Sequence, residues 1–327
     1  MQPLTDSLLA HALRDLPLPD ALQPRWLAEG VLHLTPPEPQ RALVLSAGIH
    51  GNETAPIELL LGLLADLAAG RLASRAALLL VFGNLPAMRA NRRYLHHDMN
   101  RLFGGRHRQL PPSDEAARAA EIERTTEAFF ATTGDLPRWH LDMHTAIRGS
   151  RLPQFALVPH HHHPYPQAFF DLLAAGELDA LVQHTAPGGT YSHYVSEAFH
   201  AQSCTLELGK ARPFGDNDLA QFAAIDRAIR ALVGGDPLPT RQKPPLQVFE
   251  VAESIIKGDE SFTLHLPPET ENFTRLPAGY TLASQQDRHW TIGEAAPYIL
   301  FPNANVAPGL RAGMLLSPGT PRLSLPE

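Results

Sequence analysis

The sequence predicts an α/β fold, in which a mixed central sheet carries helices on both faces and a smaller β-rich C-terminal domain follows. Between residues 41 and 236, short apolar runs alternate with segments of helical period, as in a sheet covered by helices. Residues 235–245 are Pro-rich, and the apolar runs beyond them are short and β-like. With 327 residues the chain is longer than a single hydrophobic core usually serves, which favours a second, smaller region. The predicted domains are therefore residues 1–239 and 240–327.

The first predicted elements are a buried strand and the helix after it. Residues 42–48, ALVLSAG, are an apolar run of strand length, and the leucines that follow recur at helical spacing. Glu53 or Thr54 can cap this helix, and Pro56 falls in its first turn. Gly70 marks its end.

The remaining elements follow from the same signals. Ser113 precedes two acidic residues and a segment of helical period that Gly134 follows, which predicts a helix over residues 113–130. The other predicted elements are strands at 76–84, 139–144 and 203–209, a helix at 216–235, and β-like runs at 246–257, 261–266 and 297–303.

Composition narrows the class of protein. The chain is 44% hydrophobic and 19% charged, which is typical of a globular protein and excludes a disordered one. A net charge of -7 gives no reason to expect a nucleic-acid partner. Cys204 is the single cysteine and cannot form an internal disulfide, and no signal-peptide core or membrane-spanning run is present. We expect a cytoplasmic protein that does not bind membranes.

Three residues form a candidate metal site. His50 and Glu53 follow a predicted strand at a spacing that lets both side chains reach one cation, although a capping Glu beside a hydrogen-bonded His is the alternative. His144 closes another predicted strand in the same way. Two His and one Glu leave one tetrahedral position of a zinc ion open for water. The other candidates are in loops predicted to be exposed and are left out: His96, His97 and residues 160–163.

Two carboxylates accompany these ligands. Asp142 lies two residues before His144, on the same strand face, where it could hold the imidazole in one tautomer; a surface-facing Asp is the alternative. Glu207 interrupts an apolar strand, and a buried lone carboxylate is costly unless it is paired or functional. A general base is the preferred interpretation, and a buried salt bridge, for example with Lys210, is the alternative.

The loop at residues 90–105 is rich in arginine and lies beyond a strand end. Arg92, Arg93 and Arg101 offer planar donors that suit carboxylates or a carbonyl oxygen on which negative charge develops, and Asn100 lies among them. A solvated basic loop is the alternative interpretation.

The sequence motifs that contain these residues, and their order along the chain, resemble those of the zinc carboxypeptidase-related amidohydrolases, in the branch of succinylglutamate desuccinylases and aspartoacylases. The first four are GIHGNE, RYLHHDMNR, LDMHT and TLELGK, and the resemblance continues into ESIIKGDESFTL, NFTRL and FPNANVAPGLRAG. It implies a zinc-hydrolase catalytic domain followed by the β-rich domain. It also implies one zinc ion per subunit and these roles: His50, Glu53 and His144 as ligands, Glu207 as general base and then acid, Arg93 as the group that polarises the scissile carbonyl, and Asn100 and Arg101 as carboxylate binders.

The resemblance further implies a small acidic N-acyl amino acid as substrate, and within the branch the hydrolysis of N-succinyl-L-glutamate to succinate and L-glutamate in arginine catabolism. Aspartoacylase-type enzymes carry a further Arg about ten residues before the catalytic Glu, where this chain reads SEAF at 196–199. This departure argues against N-acetylaspartate. We assign the extra carboxylates of a different acidic substrate to Lys210, Arg212 or residues 188–194. Open alternatives are another N-acyl amino acid deacylase, a zinc carboxypeptidase and a non-enzymatic zinc or ligand-binding protein; a homodimer is an open assembly state.

Overall fold

One mixed sheet of twelve strands runs through both halves of the chain in the computed structural model, which describes residues 2–161 and 164–323. The strands are β1 (Arg25–Ala28), β2 (Val31–Leu34), β3 (Arg41–Ala47), β4 (Ala76–Phe82), β5 (Arg138–Ala146), β6 (Gln154–Val158), β7 (Ala180–Gln183), β8 (Gln202–Lys210), β9 (Gln247–Ile256), β10 (Thr263–Leu264), β11 (Thr274–Arg275), β12 (Thr281–Gln285), β13 (Arg288–Thr291), β14 (Tyr298–Leu300) and β15 (Arg311–Pro318). Their order in the large sheet is β1-β2-β4-β3-β5-β8-β6-β7-β9-β15-β14-β11, and β10, β12 and β13 form a separate small sheet.

Helices cover both faces of the large sheet. They are α1 (Gln2–Leu9), α2 (Thr54–Ala68), α3 (Leu85–Arg89), α4 (Asp114–Ala131), α5 (Gln167–Ala175), α6 (Tyr191–Phe199) and α7 (Ala223–Gly234). Alternate side chains of β3 serve opposite faces: Leu43 and Leu45 lie in the core beneath α2, α5 and α7, while Val44 lies in the core beneath α4 and α6. The predicted fold class is confirmed. No helix in the described part of the chain is long and apolar enough to cross a membrane.

Most predicted elements are present, and one helix boundary was wrong. The helix predicted at 216–235 begins only at Ala223, because Asp218 accepts a hydrogen bond from Ala220 N and starts a separate 3-10 turn, Leu219–Phe222. The β-like run at 261–266 shortens to β10. The helices and strands that the sequence did not predict are β1, β2, β6, β7, β11, β12, β13, β15, α1, α3, α5 and α6.

The C-terminal region continues the central sheet. Strand β9 pairs in parallel with β7 and antiparallel with β15, so the hydrogen-bonded ladder crosses from one predicted domain into the other. A separate apolar cluster, which includes Phe262 and Trp290, lies beneath the small sheet. The division at residues 239 and 240 stays a prediction.

The topology brings three sequence-distant segments to one edge. Strands β3, β5 and β8 are adjacent and parallel, so their carboxyl ends meet on the same side of the sheet. In this register His144 lies directly opposite Glu207. Open α/β sheets bind ligands at this edge of their strands.

Candidate active site

The turn after β3 depends on two glycines. Gly48 has a φ of +72°, a conformation that L side chains rarely adopt, and it starts the turn that carries His50. A Cβ at Gly51 would lie 2.3 Å from Ala87 C, so only glycine lets this turn approach the backbone of α3. The strand, turn and helix predicted around His50 and Glu53 are confirmed.

Glu53 is the residue that precedes α2, but its side chain does not cap the helix. Its Oε1 accepts a hydrogen bond from Arg93 Nη1 at 2.6 Å, and its Oε2 accepts one from Thr145 N at 3.1 Å. His144 Nδ1 lies 2.8 Å from the same Oε2. The capping alternative is therefore wrong, since the carboxylate is directed toward the sheet edge.

Both histidines present the same ring nitrogen to Glu53. Nδ1 of His50 lies 2.9 Å from Glu53 Oε1, and each ring directs its Nε2 to an aspartate. These distances are 2.9 Å from His50 to Asp98 and 3.0 Å from His144 to Asp142. One ligand atom from each of His50, Glu53 and His144 lies within 4.8 Å of the others, and all three residues are buried.

Asp142 occupies the position expected for it, and Asp98 is a partner that the sequence did not predict. Asp98 lies in the arginine-rich loop, and its only sequence signal is its place in HHDMN, where the two neighbouring histidines are the more conspicuous residues. A carboxylate on Nε2 fixes the proton there and leaves Nδ1 with a free lone pair. Both rings are thus oriented to act as Nδ1 ligands.

The donor set fits a divalent cation. His50 Nδ1 is buried and lies 2.9 Å from Glu53 Oε1, but it makes no hydrogen bond of normal geometry within the described ranges, although buried polar atoms are normally paired. Two imidazole nitrogens and a carboxylate oxygen are ligands that zinc and several other transition metals share. Burial alone would raise the pKa of Glu53, but the imidazoles of His50 and His144 hold it well below its usual range. The carboxylate is therefore ionised, as a ligand must be.

A buried network of polar side chains contacts the Asp142 oxygen that does not face His144. Ser46 Oγ donates to Asp142 Oδ1 at 2.6 Å and lies 3.0 Å from His140 Nε2. His140 Nδ1 in turn lies 3.0 Å from Ser203 Oγ. Burial lowers the pKa of His140 to about 4, so this ring is neutral near pH 7. Asp142 is consequently held through both of its oxygens, Oδ1 by Ser46 and Oδ2 by His144.

Glu207 lies on β8, beside the ligand cluster of His50, Glu53 and His144, and it is only 8% exposed. Its Oε2 has no hydrogen-bond partner among the described residues. Burial, followed by the nearby carboxylate of Glu53, raises the pKa of Glu207 to about 7. The alternative of a buried salt bridge is wrong, because Glu207 forms no ion pair in the described part of the chain and Lys210 is exposed. The role of Glu207 as general base stays a prediction.

The arginine-rich loop divides into residues that reach the cluster and residues that do not. Arg93 reaches it through Glu53, whereas Arg92 is exposed. Asn100 is buried, and its Oδ1 accepts a hydrogen bond from Tyr191 N at 3.0 Å, which ties the loop to α6. Arg101 is exposed and donates to the carbonyl of Asn100 at 2.9 Å.

The remaining histidines that the sequence offered lie elsewhere. His96 and His97 belong to no group of potential ligands, and neither do His160 and His161, in the ranges 2–161 and 164–323. His162 and His163 fall outside the described residues. Leaving the described four out of the metal set agrees with the geometry.

The class that this geometry defines is an α/β protein with a candidate metal centre at the carboxyl edge of its sheet. Residues 39–233 match the model of the succinylglutamate desuccinylase/aspartoacylase catalytic domain. Residues 244–319 match the AstE/AspA barrel-sandwich hybrid domain. The chain therefore belongs to the succinylglutamate desuccinylase/aspartoacylase family.

Individual relatives agree with this assignment. A succinylglutamate desuccinylase of Photorhabdus laumondii is 52% identical, over 95% of this chain and 97% of its own length. One from Serratia proteamaculans is 55% identical, over 89% of each chain. The crystal structure of the Chromobacterium violaceum desuccinylase superposes with a TM-score of 0.83 at 41% identity, covering 96% of this chain and 98% of that one.

Proposed function

We propose that this chain is a zinc-dependent amidohydrolase that cleaves N-succinyl-L-glutamate to succinate and L-glutamate in arginine catabolism. The relatives at 52% and 55% identity carry the name succinylglutamate desuccinylase, and this supports the choice of substrate. The single structural observation that carries the chemistry is the buried, unpaired carboxylate of Glu207 beside the cluster of His50, Glu53 and His144. A ligand-binding protein would not need this carboxylate.

His50 and His144 through Nδ1, and Glu53 through its carboxylate, would hold one zinc ion per subunit. When bound, the ion would lower the pKa of a water molecule and polarise the amide carbonyl. Three protein ligands are the number found in catalytic zinc sites, whereas structural sites use four.

Glu207 supplies the proton transfers. As a carboxylate it accepts a proton from the attacking water, and it then delivers this proton to the leaving amine nitrogen. Its position opposite His144 places it next to the ligands, and the raised pKa brings it into the range where an acid can also return the proton. A cation at the cluster would lower that pKa and so favour the ionised form.

Arg93 stabilises the negative charge that develops on the carbonyl oxygen. Its guanidinium carries five N–H donors, and the hydrogen bond to Glu53 uses one of them. Burial alone would lower the pKa of Arg93, but Glu53, Asp98 and Glu207 keep it raised, so the side chain stays cationic. Asn100 and Arg101 are assigned to a carboxylate of the substrate; Lys210, which is exposed, is the most peripheral of the proposed substrate-binding residues.

The surrounding assignments follow from the same proposal. Residues 1–239 would form the catalytic domain and residues 240–327 the β-rich domain. The enzyme would act in the cytoplasm on a small acidic N-acyl amino acid, since arginine catabolism supplies its substrate there.

The test is a substitution that keeps the size of the side chain. Glu207→Gln should retain near-stoichiometric zinc and lose hydrolysis of N-succinyl-L-glutamate by several orders of magnitude, because the amide cannot accept the proton. Glu127→Gln, on the exposed face of α4, is the matched control and should keep full activity. Turnover by Glu207→Gln at more than a tenth of the control would remove Glu207 from the mechanism.

Substrate and metal are tested in the same assay. We expect release of glutamate from N-succinyl-L-glutamate, much slower reaction with N-acetyl-L-aspartate or a short peptide, and loss of activity with a chelator that added zinc restores. Preferred hydrolysis of the peptide would favour a carboxypeptidase, and activity that resists complete metal removal would refute the zinc proposal.

A further inference from the structure

A second feature of the molecule is a cavity of about 410 Å³ between the catalytic half and the C-terminal strands. Its walls come from the segment before α6 and from strands β9 and β15. Three arginines line it, namely Arg101, Arg106 and Arg311. Arg311 is the first residue of β15, so the cavity joins parts of the chain that are more than 200 residues apart.

These arginines form no ion pair in the described part of the chain, and the one carboxylate whose charge acts on both Arg101 and Arg311 is that of Asp98. Glu253 also lines the cavity, but it is exposed and its carboxylate lies 3.5 Å from Arg288. Burial, with Arg101 as the next cause, lowers the pKa of Arg311 to about 10. Arg311 is half-buried, whereas Arg101 and Arg106 are exposed. A cation that is partly removed from water beside other cations is costly, and a bound anion would relieve that cost.

A buried and unpaired polar atom also belongs to this cavity. His193 lines it and is 7% exposed, and its Nε2 has no hydrogen-bond partner within the described ranges. Its ring lies edge-on to His184, with 5.0 Å between centroids. Gly189 has no side chain where a Cβ would fall 2.8 Å from Arg106 Cδ, so the backbone leaves room for that arginine. Three guanidinium groups and an imidazole nitrogen without a hydrogen-bond partner among the described residues therefore border one space.

One short segment of the chain borders both the metal centre and the cavity. Asp98 bonds to His50 and is followed directly by the 3-10 turn Met99–Arg101, whose last residue lines the cavity. The charge of Asp98 acts on both Arg101 and Arg311, so the aspartate that contacts His50 also lies close to the arginines of the cavity.

We propose that this cavity binds a substrate carboxylate remote from the scissile amide, with Arg311 and Arg106 as its cationic partners. The inference rests on the proposed function and extends it, since it names a specificity-determining residue in the C-terminal region. A substrate with three carboxylates supplies an anion with which these arginines can form ion pairs. Neutral N-acyl amino acids leave these charges unpaired and are poor substrates.

The test compares substrates that lack one remote carboxylate each. N-butyryl-L-glutamate replaces the succinyl carboxylate by a methyl group, and N-succinyl-L-norvaline replaces the γ-carboxylate. Arg311→Gln should lower kcat/KM for N-succinyl-L-glutamate by about 10- to 100-fold, mainly through KM, as expected for loss of a charged hydrogen bond. It should change kcat/KM less than about threefold for whichever analogue lacks the carboxylate that Arg311 binds.

Control variants separate binding from folding. Arg275→Gln, at an exposed position of β11, should behave as the parent protein, and Arg311→Lys should recover part of the lost kcat/KM because it keeps the charge. An equal loss on all three substrates, or no loss on any, overturns the proposal.

A binding measurement separates this proposal from the proposed function. In the Glu207→Gln background with zinc bound, calorimetry should show N-succinyl-L-glutamate binding at least tenfold more weakly when Arg311→Gln is added. Binding that depends on Arg311 without any turnover by the parent protein would refute the proposed function and keep the carboxylate site. Turnover by the parent protein with Arg311-independent binding would refute the carboxylate site alone.

Discussion

Removal of the Asp98 carboxylate should weaken metal binding without removing a metal ligand. In Asp98→Ala, His50 loses the acceptor that lies 2.9 Å from its Nε2. The ring can then take the other tautomer or rotate, and both changes compete with coordination through Nδ1. The hydrogen bond that is lost acts on the metal through His50.

The size of the effect follows from the exposure of Asp98. Loss of such an outer partner costs 10- to 100-fold in metal affinity, or about 1.4 to 2.7 kcal/mol. The Asp98 side chain is 22% exposed, so water can partly replace the lost acceptor. We therefore expect the lower limit, about tenfold. Asp142, which is fully buried, has no such substitute, and its removal would also destabilise the fold.

The assay is a competition between the protein and a chromophoric chelator for zinc, with activity recorded at saturating zinc. Asp98→Asn is the matched control, because its amide oxygen can accept the same hydrogen bonds from His50 and from Asn100 N. Loss of the cap that Asp98 provides to the 3-10 turn should cost about 1 kcal/mol of unfolding free energy, which a melting curve measures separately.

An unchanged affinity in Asp98→Ala would show that Asp98 does not orient His50. Equal losses in the Ala and Asn variants would assign the effect to charge instead of to the hydrogen bond, and would also refute this reasoning.

Two further predictions concern the turn and the base. Gly51→Ala should destabilise the protein by about 1 to 3 kcal/mol or displace α3, because the new Cβ would lie 2.3 Å from Ala87 C; a melting temperature within 1 °C of the parent would contradict the close approach. The kcat/KM should fall as pH decreases through the pKa of Glu207, about 7 before the attraction of a cation lowers it, since the base works only when ionised. A profile flat from pH 5 to 8 at constant zinc occupancy would exclude Glu207 as that base.

Local patterns were sufficient for the elements that hold the candidate ligands. The runs that became β3, β5 and β8 are apolar because both faces of these strands are covered, and a run of this kind is visible without any knowledge of its neighbours. The capped helix α4 was equally local, since Ser113 accepts its hydrogen bond from Ala116 N three residues away. Boundaries failed where a turn intervened, as at Asp218.

The short elements were missed because they carry little local signal. Strands β6 and β7 have five and four residues, and they are stable only through pairing with β8, β9 and each other. Such pairing joins strands that are distant in the sequence, and a local pattern of apolar residues does not show which strands will pair.

By itself the sequence determined which residues could bind a cation, because His50 and Glu53 share one turn and His144 ends a recognisable strand. Only the tertiary structure decided which partners orient them and which charges surround the substrate. Asp98 contacts His50 although 48 positions separate them in the sequence. Arg311 and Arg101 line the same cavity because one sheet contains strands from both halves of the chain. Contacts within a turn are fixed by backbone geometry, whereas contacts between loops depend on strand order, which the whole core selects.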